Sequence, residues 1–171
     1  MAKSHHPVSF QGNSLTLVGQ PVNVGDRLPE FTVTGVDMAD LSSSKFAGKT
    51  LVVLSVPSLD TPVCAIETKR FNDEASKLGD KVAVLAVSMD LPFAQKRWCG
   101  AEGVNNVVTG SDYKHRAFGE AFGAQIQEWG LLTRAVFVAD SKGTVVYSEY
   151  VPEIPNEPNY TAVLDAVKKT L

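Results

Sequence analysis

The stretch "TLVVLSVPSLDTPVCAIETKRFNDEASKLGDKVAVLAVSMD", residues 50–90, decides the fold. Its first eight residues form an apolar run rich in branched side chains, the pattern of a strand covered on both faces. "TPVCAIETKRFNDEASKLG" then reads as a helix, with Thr61 as N-cap, Pro62 at the first helical position and Gly79 just past the end. "KVAVLAVSMD" returns as a second buried strand. A strand, a helix and a strand in this order make a right-handed crossover between parallel strands.

The rest of the chain extends that unit. "VSFQGNSLTLVG" alternates apolar and polar residues around Gly12-Asn13 and predicts an N-terminal β-hairpin. "EFTVTGVD" and "NNVVTGSD" are further strand candidates, and "YKHRAFGEAFG" is a short helix. "DLPFAQKRWCGAEG" places Ala94, Trp98 and Ala101 at helical spacing between Asp90 and Gly103. "RAVFVADSKGTVVYSEYV" predicts an antiparallel hairpin turning at "DSKG". A final helix over 160–171 carries Tyr160, Val163, Leu164 and Val167 on one face. Together these elements predict an α/β protein of thioredoxin-like order, a mixed central sheet flanked by helices. The pattern by itself also admits other small α/β sandwiches.

Composition bounds the function. With 171 residues, 44% hydrophobic and 20% charged, the chain reads as one globular domain, residues 1–171, with 1–7 as a flexible tail. A formal net charge of -3 argues against a phosphate-binding surface, so no nucleic-acid partner is expected. "MAKSHHPVSF" lacks the apolar core of a signal peptide, and no run approaches the roughly 18 apolar residues of a membrane span. A cytoplasmic protein with no membrane association is expected. Two cysteines and three histidines, with no CxxC, argue against a metal site, and no haem, flavin or nucleotide motif appears. No cofactor is expected.

The two cysteines, Cys64 and Cys99, therefore take their meaning from position. If Thr61 is the N-cap, Cys64 lies in the first helical turn, where free backbone N–H groups and the helix dipole favour an anion. Thiols beside helix N-termini and cations fall from a pKa of about 8.5 to about 3.5–7.5, which makes the nucleophilic thiolate abundant at neutral pH. A small buried hydrophobe is the alternative for such a cysteine. Arg134, at the start of an apolar strand, is by default a solvated rim residue, as are Arg70 and Arg97 on their helices. Pro57 by itself only ends a strand.

These residues carry a resemblance. "PSLDTPVC", residues 57–64, resembles the P-x-x-x-T-x-x-C motif of the peroxiredoxins, and its S-x-D-T form is similar to the thiol peroxidase branch. "DLPFAQKRWCGAEG" resembles that branch's resolving-cysteine helix, and "LLTRAVFV" carries the family's arginine. "FQGN", "EYVPEI" and "EPNY" extend the likeness over nearly the whole chain from about Val8, while "MAKSHH" lies outside it.

The resemblance implies a thioredoxin-like peroxiredoxin fold and a thiol-dependent peroxidase acting on hydrogen peroxide and organic hydroperoxides. It implies Cys64 as the peroxidatic cysteine and Cys99 as the resolving one, joined by an intramolecular disulfide that thioredoxin reduces. Thr61 would turn its hydroxyl toward the thiolate or peroxide, or serve as a plain cap. Arg134 would hold thiolate and peroxide, and Pro57 would shield the pocket from water. A homodimer is also implied. A peroxide-sensing switch acting through the same disulfide is the alternative function. A cysteine hydrolase is a further one, for which His115 is the candidate base outside the histidines of the tail.

Overall fold

The computed structural model describes residues 6–171. The chain begins with β1 (Val8–Phe10), β2 (Asn13–Leu15), β3 (Leu17–Val18), β4 (Thr32–Thr34) and β5 (Asp40–Ser42). The central unit is β6 (Thr50–Ser55), α1 (Pro62–Leu78) and β7 (Val82–Ser88). It is followed by α2 (Pro92–Glu102), β8 (Val108–Ser111), α3 (Ala117–Ala121), β9 (Gln125–Ile126) and β10 (Leu131–Leu132). The hairpin β11 (Ala135–Ala139) and β12 (Val145–Tyr150) and the helix α4 (Tyr160–Lys168) complete the chain.

Seven strands form one sheet in the order β12-β11-β6-β7-β8-β4-β5. The neighbours β6, β7 and β8 are parallel, with Leu54 opposite Ala86 and Ala86 opposite Thr109. The strand β11 lies antiparallel on β6, and β12 antiparallel on β11. Alternation along β6 explains its continuous apolar run, because both faces of the strand are covered. Val52 and Leu54 face α1, α2 and α4 together with Phe71, Trp98, Val163 and Val167. Leu51 and Val53 face the opposite layer, built on Phe31, Phe118, Phe122 and Phe137.

Local signals placed most elements where the sequence reading expects them, α1 with Thr61, Pro62 and Gly79 in their anticipated roles. Some details differ. The first hairpin turns at Gln11-Gly12 rather than Gly12-Asn13; these two residues take the positive φ values, 50° and 81°, that suit a tight hairpin turn. In α2 the buried residues are Pro92, Gln95 and Trp98, whereas Ala101 is exposed, so the inward face is rotated from the expected one. Only Val163 and Val167 are fully buried in α4; Tyr160 and Leu164 are half-buried. Of the tail expected over 1–7, residues 1–5 lie outside the described residues, and His6 stacks on Tyr150 with ring centroids 4.1 Å apart.

Tyr150 also clips three segments together. Its buried hydroxyl donates to the Phe122 carbonyl at 2.6 Å and accepts from the Val22 amide at 2.8 Å. Tyr150→Phe leaves both backbone groups without this partner, so a loss of about 2 kcal/mol is expected in urea unfolding. Among the described residues no helix is long and apolar enough to cross a membrane.

Candidate active site

The turn between β6 and α1 sits at the carboxyl end of the parallel strands, where open α/β sheets bind ligands. Pro57 is buried there, two residues beyond β6. Thr61 begins α1 with extended backbone angles, and its Oγ1 accepts a hydrogen bond from the Cys64 amide at 3.4 Å. The Thr61 hydroxyl donates to the Ser58 carbonyl at 3.0 Å. Of the two roles open to Thr61, the cap is the one seen in this state, with the hydroxyl proton directed at the loop.

Cys64 is completely buried, and Arg134 is 2% exposed. The Arg134 Nη1 donates to Cys64 Sγ at 3.3 Å and to Glu67 Oε2 at 2.7 Å. The Arg134 Nε donates to the Ile154 carbonyl at 2.8 Å, which fixes the plane of the guanidinium. Arg134 thus stands one residue before β11, inside the protein and not on its rim. A buried guanidinium needs such partners, and here two side chains and a carbonyl supply them.

Glu67 is the residue that the sequence reading missed. It lies three positions after Cys64, so both occupy the inward face of α1 with Thr68 and Phe71. That spacing was the available signal. Burial pushes the Glu67 carboxyl up to about 7, although Arg134 pulls it back down. Burial also works against the charge of Arg134, but Cys64 and Glu67 together hold its pKa above the ordinary value. The result is a buried cation shared by a sulfur and a carboxyl group.

Cys99 lies on α2, half-buried, packed against the core layer that holds Phe71 and Trp98. Burial raises its thiol above the usual range, with Thr109 opposing. Both cysteines are free thiols. Arg70 and Arg97 are exposed. Arg70 lies over the Tyr160 ring, 4.9 Å from its centroid, and pairs with Glu74. His115 pairs with Asp40 at 3.0 Å, on the edge strand five places from β11. Among the described residues the group facing Cys64 is therefore a guanidinium, and His115, the base named for a cysteine hydrolase, pairs with Asp40 instead.

The chain is similar to known proteins over most of its length. A family model described as Redoxin matches residues 23–164. A thiol peroxidase of Bacillus subtilis (strain 168) is 51% identical over 161 residues, covering 94% of this chain and 96% of the relative. A crystal structure of a peroxiredoxin-like protein from Aquifex aeolicus superposes with a TM-score of 0.90 at 43% identity, covering 97% of this chain and 98% of that one. A thiol peroxidase from Chromobacterium violaceum, 20% identical with a TM-score of 0.86, covers 96% of this chain and 97% of its own, and shares the fold. Motif, architecture and these relatives converge: the chain belongs to the redoxin family, in its thiol peroxidase branch.

Proposed function

We propose that this protein is a thiol-dependent peroxidase that reduces hydrogen peroxide and organic hydroperoxides through Cys64 and Cys99. The observation that carries the reading is the Cys64 sulfur, in the first turn of α1, held 3.3 Å from the Arg134 guanidinium. The Cys64 thiolate attacks the terminal peroxide oxygen. An S–O bond forms as the O–O bond breaks, and the leaving oxygen departs with the electron pair and takes a proton, giving water or an alcohol. Arg134 stabilises the thiolate and the charge developing on the oxygens. Thr61 fixes the turn by capping α1 at the Cys64 amide, and Pro57 keeps water from the pocket.

Cys99 then loses its proton and attacks the sulfenic sulfur; a disulfide forms and the hydroxyl leaves as water. A dithiol of the thioredoxin type takes over the disulfide by thiol exchange and is itself oxidised. A reducing, cytoplasmic compartment suits two free thiols used in this way. A homodimer belongs to the same reading and is checked by sedimentation.

Mixing the reduced protein with one equivalent of hydroperoxide and mapping its peptides by mass spectrometry tests the chemistry. The expected product is a disulfide joining Cys64 to Cys99, and in Cys99→Ser a sulfenic acid on Cys64. Two intact thiols would refute the reading.

A further inference from the structure

Asp90 was expected to bound α2, yet the N-cap of that helix is Leu91, with no side-chain cap hydrogen bond. The Asp90 carboxylate turns instead to the loop that leads into Cys64. Its Oδ1 accepts from Ser58 Oγ at 2.7 Å. Its Oδ2 accepts from the Leu59 amide at 2.8 Å and from Ser88 Oγ at 2.7 Å. The Ser58 carbonyl accepts in turn from the amide and the hydroxyl of Thr61, and Thr61 caps Cys64. On the other side, Gln95 of α2 donates to Ser88 Oγ at 3.0 Å and to the Gly110 carbonyl at 2.9 Å. The Asp90 carbonyl accepts from Ser111 Oγ at 2.5 Å.

One carboxylate therefore ties the Cys64 turn to the root of the Cys99 helix. Both thiols are free, and Cys64 is completely buried with its sulfur on the Arg134 guanidinium. A disulfide puts the two sulfurs about 2.05 Å apart, so the free Cys64 sulfur must come away from Arg134 before it meets that of Cys99. Freeing the first turn of α1 requires the 58–61 loop to move, and the bonds that hold this loop to the rest of the sheet end on Asp90.

We infer that Asp90 is a positioning residue that latches the Cys64 turn in its peroxide-ready place and must release it before the disulfide with Cys99 can close. The inference rests on the disulfide proposed above. It adds an opposition: the latch favours the peroxide step and opposes the closing step, whereas a merely structural residue would slow both.

The test follows tryptophan fluorescence, with Trp98 adjoining Cys99, after rapid mixing of the reduced protein with a series of hydrogen peroxide concentrations. A phase proportional to peroxide reports sulfenic acid formation, and a phase independent of it reports closure; quenched samples analysed by mass spectrometry identify each species. In Asp90→Asn, one carboxylate oxygen becomes an amide that cannot accept. Closure is expected to accelerate about tenfold and the peroxide phase to slow about fivefold. Ser58→Ala, which removes the bond to Oδ1 and the one that Ser58 Oγ accepts from the Asp60 amide within the loop, is expected to shift both in the same directions by about threefold, and it decides the matter if Asp90→Asn does not fold. Closure that is unchanged or slower in the variants, beside a wild type that closes normally, overturns the latch and leaves the disulfide reading standing. A wild type that forms no disulfide overturns both.

Discussion

Arg134→Met should lower the second-order rate constant with hydroperoxide by about a thousandfold. Removing one preorganised donor from a developing oxyanion costs about 10²–10³ in rate, and here the same group also faces the nucleophile. The substitution acts on stability as well. Without its partner, Glu67 is a completely buried carboxyl, and breaking a buried pair from one side costs about 3–5 kcal/mol while the remaining group is charged. The double variant Arg134→Met/Glu67→Gln removes the stranded charge, so it should regain much of the stability and none of the rate. Stopped-flow kinetics and urea unfolding on the three proteins separate the two effects. A single variant reacting within tenfold of wild type would mean that the positive charge for the peroxide step comes from another residue.

How far this site could be read in advance depends on the range of the interactions that build it. The β6-α1-β7 unit is legible because its signals are local: two apolar runs, a threonine cap, a proline at the first helical position and a closing glycine. The position of Cys64 follows from that unit alone. Arg134 is different. Its burial depends on Glu67, distant along the chain, and on the carbonyl of Ile154, so a strand-start arginine looked solvent-facing until the resemblance to the peroxiredoxins marked it. Strands of two residues, β3, β9 and β10, are too short to show a period at all. Asp90 misled for a related reason. Pro92 opens α2 at a position where no amide donor is required, which leaves the nearby carboxylate for a loop some thirty residues earlier. Gln95 escaped notice because apolar periodicity does not register a buried amide, although its bonds to Ser88 and Gly110 bind α2 to the sheet.

Glu67→Gln should flatten the dependence of stability on pH between about 4.5 and about 7. Burial raises the carboxyl from 4.5 to about 7, against the opposing pull of Arg134 and with Glu149 and Glu157 pushing further upward. Across this window the folded chain binds the proton more tightly than the unfolded chain does. The contribution is therefore fully present below about 4.5 and is lost as pH rises through about 7. Its full span is on the order of 3 kcal/mol. Glutamine cannot titrate but still offers an oxygen to Nη1, so the variant should lose this term while keeping the guanidinium in place. Urea unfolding of both reduced proteins from pH 4.5 to 8 measures the difference directly: the advantage of wild type over the variant should shrink steadily with rising pH. Parallel curves would show that Arg134 outweighs burial and keeps Glu67 ionised throughout. The same proton bears on the chemistry. When Glu67 is charged, carboxylate and thiolate compete for one nitrogen; when it is neutral, or replaced by glutamine, the charge of Arg134 is left to the sulfur and the incoming peroxide.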